Sequence, residues 1–479
     1  MNIIRHQKKH LLSIISTITS AVDPYRLLTE RLALESPEDV LTFDGNPVFV
    51  GNNQAVELKS TGKILVVGGG KAAAGFAAGL EHLLGSSRLK KHQVHGLVSV
   101  PEGSGIPLNH IEVRETRPYK HNLPTEAVVQ ATHTMLKQLR NLTEDDLAFV
   151  LITGGSSALI ELPRAQIPIQ SLAHLTQSLS NSGIDIKTLN DVRCLTSQVK
   201  AGGLAMACTA GKLIVLVLSD VLNNSLPVIG SGPCMPRIHR TETIHKKLLD
   251  IKISKRDRVI VAQAARALKE EGSVLPCSPT NSGNWTTPLG CHVTHLTLGT
   301  NSIAVDAAAA AATALGYKAV SATSNAHSDS ANTVGLRLAA SLNTMVTTCE
   351  TTNQPLCLLE GGEATVDVPI DHGQGGRNQH TVVAAANNIL VNQQKAWPTR
   401  AILASFGTDG EDGPTSSAGG FIDADVAKSL ALHPSKIPEA IDRCDSHELL
   451  KSAGGTIETG LTGTNVADVR IVLTNPKLG

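Results

Sequence analysis

Short runs of consecutive aliphatic residues, each closed by glycine or a small polar residue, alternate along this 479-residue chain with longer segments whose apolar positions recur every three to four residues. The first kind predicts strands buried on both faces, and the second predicts amphipathic helices. Strands are expected at Ile64–Val67, Leu97–Val100, Leu147–Thr153, Leu213–Leu218, Leu356–Leu359 and Ala401–Ser405. Helices are expected at Thr125–Leu139, Ile169–Leu179, Arg256–Lys269, Ile303–Leu315 and Gln379–Leu390, the fourth ending at Gly316 as a C-cap. Such alternation is the mark of an α/β protein with largely parallel sheets. The aperiodic stretch Gly272–Gly290, rich in Pro, Ser, Asn and Thr, reads as a loop or insertion. It divides the chain into an N-terminal α/β domain, residues 1–270, and a C-terminal α/β domain, residues 291–479.

Open α/β sheets bind ligands beyond the carboxyl ends of their strands, so the segment after each predicted strand is where chemistry is expected. Five of these segments are rich in glycine and polar residues: GGGK after Val67, GGSSAL after Thr153, SDVLNNSLPVIGSGP after Leu218, EGGEATV after Leu359 and FGTDGEDGPTSSAGG after Ser405. In the first, Gly68, Gly69 and Gly70 would let an anion approach the backbone at a helix start, and Lys71 adds a full charge. In the second, Gly155, Ser156 and Ser157 suit a further phosphate cradle, although serine at a helix N-cap needs no ligand. Asp220, Asp409 and Asp412 offer hard oxygen ligands for Mg²⁺ or a nucleotide-metal site, with Asp220 and Asp409 the first choices for metal; each is also an ordinary turn residue. Glu363 follows a strand directly and suits a base or metal ligand. Arg377, set between Gly376 and Asn378 ahead of a helix, suits bidentate capture of a carboxylate or phosphate.

Composition narrows the ligand. Hydrophobic residues make up 41% of the chain but aromatics only 2%, which argues against stacking platforms for bases. Basic and acidic residues balance at 42 each without a basic block, so neither nucleic acid nor an anionic membrane is expected, and the partner is a small molecule. The eight cysteines show no C-x-x-C pair, as in a reducing compartment. No run of about 18 apolar residues is present. The first twenty residues carry Arg5, Lys8 and Lys9 with no acid, which reads as an amphipathic first helix in a cytoplasmic protein, a mitochondrial presequence being the alternative. The chain lacks the G-x-G-x-x-G and Walker spacings, the H-E-x-x-H zinc pattern and a G-x-S-x-G elbow.

Taken in order, AVDPYRLL, GGGKAAAGFA, LITGGSSAL, LNDVRCLTSQVKAGGLA, SDV with IGSGP, GGEATV, GQGGRNQ, GTDGEDGPTSSAGG and TGTNVADV resemble the glycerate 2-kinase family, whose C-terminal region is the MOFRL domain. The resemblance runs from about residue 10 to about residue 472. It implies a doubly wound Rossmann-like N-terminal sheet, a MOFRL-type α/β domain and an active site in the cleft between domains. It further implies ATP with Mg²⁺ as phosphoryl donor and D-glycerate as acceptor, giving 2-phosphoglycerate and ADP. The lysine and arginine of the family motifs correspond to Lys71 and Arg377, and Arg193 and Lys200 are second candidates for the glycerate carboxylate. Some positions depart from the family pattern: Asn223 and Asn224 replace Gly-Asp, His380 replaces Glu in N-Q-E, Asp329, Ser330 and Ala331 replace G-E-A, and Lys120 to Pro124 replace G-H-P-x-P. A weakened nucleotide-binding relative with a regulatory role and a hydroxypyruvate reductase are the alternatives, and assembly as a homo-oligomer is open.

Overall fold

The computed structural model describes residues 2–51, 53–119, 122–182, 184, 186–236, 254–270, 283–323 and 329–476. Contacts gather the chain into two compact units, one of residues 24–219 and 224–298, the other of residues 1–23, 220–223 and 299–479. Two consecutive domains, 1–270 and 291–479, do not describe this division, because the chain's first segment belongs with its last. The helix Asn2–Ala21 buries Leu11, Ile14, Ile15 and Ile18, lies against the helix Asn301–Ala314, and is tied by Gln7 Nε2 donating to the Arg400 carbonyl at 2.7 Å. Of the stretch expected to be a loop at 272–290, residues 272–282 lie outside the described residues, and Trp285–Thr286 forms a short strand.

The larger unit is built on strands β1 (Ile64–Gly69), β2 (His95–Pro101), β3 (Ile111–Arg117), β4 (Leu147–Ile152), β5 (Lys212–Leu218), β6 (Trp285–Thr286) and β7 (His292–Gly299). They lie side by side in the order β3-β2-β1-β4-β5-β7-β6. The first five are parallel, while β6 and β7 pair antiparallel. Five parallel strands in the order 3-2-1-4-5 form a doubly wound sheet, with a topological switch point between β1 and β4. The runs ILVV, LAFVLI and LIVLVL are buried along their length, as central parallel strands require. Short antiparallel strands at Leu32–Glu35, Val40–Phe43 and Asn46–Pro47 precede this sheet.

The second unit holds β8 (Lys318–Thr323), β9 (Leu356–Gly362), β10 (Ala401–Gly407), β11 (Gly419–Ile422), β12 (Thr456–Ile457) and β13 (Asp468–Thr474), in the order β8-β9-β13-β10-β11-β12. Here the expectation of a largely parallel sheet fails: only β8 and β9 pair parallel, and the other four pairs are antiparallel. An aliphatic run marks a strand but carries no direction. The strand β13, absent from the expected set, inserts between β9 and β10 and runs against both. The carboxyl ends of β9 and β10 therefore share one sheet edge with the start of β13. The helix Arg377–Ala386, extended by a π-turn at Asn387–Asn392, packs against β10, β11 and the helix Ala331–Thr352.

Candidate active site

Both loops at the switch point of the larger unit are bonded to each other. Lys71 N donates to the Gly154 carbonyl at 2.8 Å, and Ala72 N donates to Thr153 Oγ1 at 3.1 Å. Gly70 N goes to Ser99 O and Ala73 N to Gly70 O, so these four amides are satisfied by protein rather than held out to an anion. That corrects the expectation for Gly68, Gly69 and Gly70, whose small size is spent on packing. A Cβ at Gly68 would lie 2.2 Å from Leu151 O, one at Gly69 2.9 Å from Ser99 O, and one at Gly70 2.0 Å from Thr153 Oγ1. With φ of +136°, Gly70 also holds a conformation that side chains rarely adopt. What the loop presents is the Lys71 side chain, which lies over Gly155: a Cβ there would sit 3.5 Å from Lys71 Cγ.

Two further motifs converge on the Gly155–Ser157 turn. Ser157 Oγ and Ser231 Oγ are 3.0 Å apart, and Gly202 N donates to Gly232 O at 2.7 Å, joining the GGSS, AGGLA and IGSGP segments. Ser156 Oγ is buried without a hydrogen-bond partner among the described residues, facing Gly230, where a Cβ would come within 2.2 Å. Lys200 departs from its expected role. Its Nζ is buried, donates to the Ser157 carbonyl at 3.0 Å and is ion-paired to Glu161, so it braces the turn instead of waiting for a substrate carboxylate. Arg193 is only partly buried and meets Asn190 Oδ1 at 3.5 Å; burial pulls its pKa down while Glu161 opposes that shift. Of the two candidates, Arg193 is the one with no ion pair to a carboxylate among the described residues.

In the second unit the shared edge of β9, β13 and β10 collects charge. Arg377 opens its helix and sends Nε and Nη2 to the two oxygens of Asp468, at 2.7 and 2.9 Å, and Nη1 to Glu363 Oε1 at 2.8 Å. The side chain is one-third exposed, whereas Asp468 is fully buried. Burial works against the arginine's charge, but Asp468 and Glu363 outweigh it and hold its pKa well above the ordinary value. Glu363 moves up because of burial, with Asp468 and Asp409 adding to the rise and Arg377 opposing it. Asp468 escaped the sequence reading, although its signal was present: a lone acid opening the aliphatic run VRIVL, directly after TGTNVA.

Asp412 does not join this group as a metal ligand. Both of its carboxylate oxygens accept backbone amides of the Arg377 helix, from Asn378 at 2.9 Å and Gln379 at 2.8 Å. Burial raises its pKa to about 6 in spite of those bonds. Asp409 Oδ1 accepts from Glu411 N at 3.0 Å, and Asp220 Oδ2 accepts from Asn465 Nδ2 at 3.4 Å. Among the described residues no group of three or more His, Cys, Asp or Glu is arranged to hold a metal ion. Mg²⁺ in phosphoryl-transfer sites needs only one or two carboxylates beside water and substrate phosphates, and Asp412, with both oxygens taken by helix amides, offers it neither. The departures from the family pattern are accommodated locally. Asn224 takes a left-handed φ of +50°, which asparagine tolerates, Ser330 caps the helix Ala331–Thr352, and His380 Nε2 meets Asn332 Oδ1 at 2.9 Å. Lys120 and His121 lie outside the described residues.

Residues 10–266 match the family model described as a domain of unknown function, DUF4147, and residues 356–468 match the MOFRL family. The mouse protein named glycerate kinase is 31% identical over 463 residues, covering 86% of this chain and 85% of its own. The chain belongs to the glycerate kinase family. Glycerate 2-kinase of Pyrococcus horikoshii is 30% identical over 477 residues, covering 98% of this chain and 97% of its own. Among solved structures, glycerate kinase of Thermotoga maritima superposes with a TM-score of 0.72 at 28% identity, over 98% of this chain and all of that one. As a glycerate kinase family member, the chain has Lys71, Gly155, Ser156 and Ser157 gathered at one switch point and Glu363, Arg377 and Asp409 at one sheet edge. Among the described residues, no helix is long and apolar enough to cross a membrane.

Proposed function

We propose that this protein is a glycerate 2-kinase, transferring the γ-phosphoryl group of ATP to the 2-hydroxyl of D-glycerate and releasing 2-phosphoglycerate, ADP and a proton. The observation that carries the reading is kinship over nearly the whole chain with proteins named glycerate 2-kinase, at 30% identity to the Pyrococcus horikoshii protein and 32% to the Thermotoga maritima D-glycerate 2-kinase. The geometry supports it through a switch-point turn bearing Lys71 and an edge cluster bearing Arg377. Phosphoryl transfer asks little covalent chemistry of a protein but requires alignment and neutralisation of charge on the transferring oxygens. Lys71 and Arg377 supply that neutralisation, and Gly155 and Ser157 receive phosphate oxygens, the Ser156 amide being held by Thr153 O and its hydroxyl facing Gly230. Arg193 is the candidate for the glycerate carboxylate. Glu363, whose proton affinity is raised, is the candidate acceptor of the hydroxyl proton. Mg²⁺ bound with ATP would be held through Asp220 or Asp409 and would offset the charge of the β- and γ-phosphates. The kinase names of the relatives disfavour both the reductase and the binding-only alternative.

The test is to supply Mg²⁺-ATP and D-glycerate and to couple product formation to enolase, with and without phosphoglycerate mutase. Signal without mutase is expected. Signal only with mutase would move the acceptor to the 3-hydroxyl, and loss of NADH absorbance with hydroxypyruvate would replace the kinase by a reductase.

A further inference from the structure

The GTDGEDG loop invites a reading as a metal or nucleotide loop, but its most buried acid is turned toward the Arg377 helix. Asp412 Oδ1 accepts the Asn378 backbone N–H at 2.9 Å and the Asn378 side-chain amide at 3.3 Å. Its Oδ2 accepts the Gln379 backbone N–H at 2.8 Å and Gln379 Nε2 at 3.0 Å. Amides of a first helical turn have no partner inside the helix, and here an acid from a different segment caps two of them at once. Gly376, the N-cap, supplies no side chain, and a Cβ on it would lie 2.3 Å from Asp412 Oδ1. Gly413, at φ +63°, approaches Gly375 so closely that a Cβ would meet its carbonyl at 2.2 Å. Gln379 carries the grip onward, with Oε1 2.9 Å from His447 Nδ1 and Nε2 donating to Thr415 Oγ1 at 3.1 Å. The GQGGRNQ and GTDGEDG motifs are thus one interlocked piece.

We propose that Asp412 is a positioning residue for Arg377. It pins the backbone end of that arginine by capping its helix, while Asp468 and Glu363 pin the guanidinium. The role explains why the loop joins a buried acid to small residues on both sides. A misplacement of about 1 Å in a charge-stabilising group can cost about a hundredfold in rate, so fixing the first turn matters to the reaction itself. This rests on the reading of Arg377 as a residue that contacts the transferring group.

The experiment compares Asp412→Asn with Asp423→Asn. Asp423, the N-cap of the helix Ala424–Leu430, also caps two first-turn amides, its Oδ1 accepting from Asp425 N at 3.0 Å and Val426 N at 2.9 Å, and that helix carries no proposed site residue. Both variants should lower the melting temperature. Only Asp412→Asn should lower kcat, by about tenfold to a hundredfold, with KM for ATP and glycerate moving about threefold or less. Should Asp412→Asn fail to fold, Gly376→Ala displaces the same cap while leaving the carboxylate in place, and the same loss of kcat is expected. Full kcat in the folded Asp412 or Gly376 variant, with Arg377→Ala inactive, overturns the positioning role alone. An active Arg377→Ala overturns the reading of Arg377 and this inference with it.

Discussion

Lys71 and Arg377 each follow a pair of glycines at a helix start, yet the two settings are built from different physics. The backbone at Lys71 is fixed by neutral groups: amides meet carbonyls and a threonine hydroxyl, and glycines let β1 and β4 close to distances a side chain would block. Around Arg377 the fixing groups are charged, with Asp468 and Glu363 on the guanidinium and Asp412 on the helix start. The loop under the first cation is placed by shape, and the second cation by electrostatics. A perturbation of volume should therefore harm one region, and a perturbation of charge the other.

The largest effect should come from the cations themselves. Arg377→Ala is expected to lose about 10²–10³ in kcat, and Arg377→Lys nearly as much, because a lysine cannot reproduce the bidentate fork held by Asp468. Lys71→Ala should lose about 10², while Lys71→Arg should recover to within about tenfold, since shape around the loop leaves only a point charge to supply. Equal losses for the two conservative exchanges, measured in the coupled assay, would erase the distinction. Next comes volume: Gly70→Ala forces a Cβ to within 2.0 Å of Thr153 Oγ1 at a φ of +136° and should cost about 3 kcal/mol by urea unfolding. Charge follows closely: Asp468→Asn leaves the arginine with one carboxylate and should cost about 2–3 kcal/mol, less than a fully buried pair because the arginine is one-third exposed.

The smallest effect is a contrast in pH response. His295, in β7, is pushed down to about 4 by burial, so the unfolded chain binds a proton that the folded one refuses between about pH 6.5 and 4. Its contribution is present above pH 6.5 and lost as pH falls, amounting to about 2 kcal/mol between pH 7 and 5. Asp412, raised to about 6 from its ordinary 3.8, has the opposite sign. The folded state holds its proton first, and stability rises by about 1 kcal/mol over the same interval. Melting temperatures of His295→Gln and Asp412→Asn at pH 7 and pH 5 check both signs. His295→Gln should flatten the acid loss and Asp412→Asn should steepen it.

The neutral region was the more legible one. The runs ILVV, LAFVLI and LIVLVL announce parallel strands because burial on both faces leaves no other composition open, and the loops after the first two fall where the strand order reverses. The part misread there was the purpose of Gly69 and Gly70, since a glycine that admits a neighbouring strand looks the same in sequence as one that admits a phosphate. In the charged region Arg377 was visible from its flanking glycines, but its partners were not. Asp468 lies 91 residues downstream, and only the insertion of β13 between β9 and β10 brings it alongside. Lys200 and Asp412 looked like ligand-binding groups because a motif lists residue types without their directions. Pairing with Glu161 and capping of a helix appear only when the chain is folded.

The seating of the helix Asn2–Ala21 in the same unit as β13 has a consequence for synthesis. The sheet of that unit has a gap at its middle until residues 468–474 have been made, and the first helix must wait for its neighbours. At translation rates of about 5–20 residues per second, the nascent helix spends roughly 20–90 s with its Leu11, Ile14 and Ile18 face unburied by the surroundings it ends in. The intervening unit, contiguous apart from a four-residue excursion, can close first. Vectorial folding of this chain therefore runs from the inside of the sequence outward, and the growing polypeptide carries an uncovered apolar helix face that offers itself to chaperones until residues 468–474 emerge.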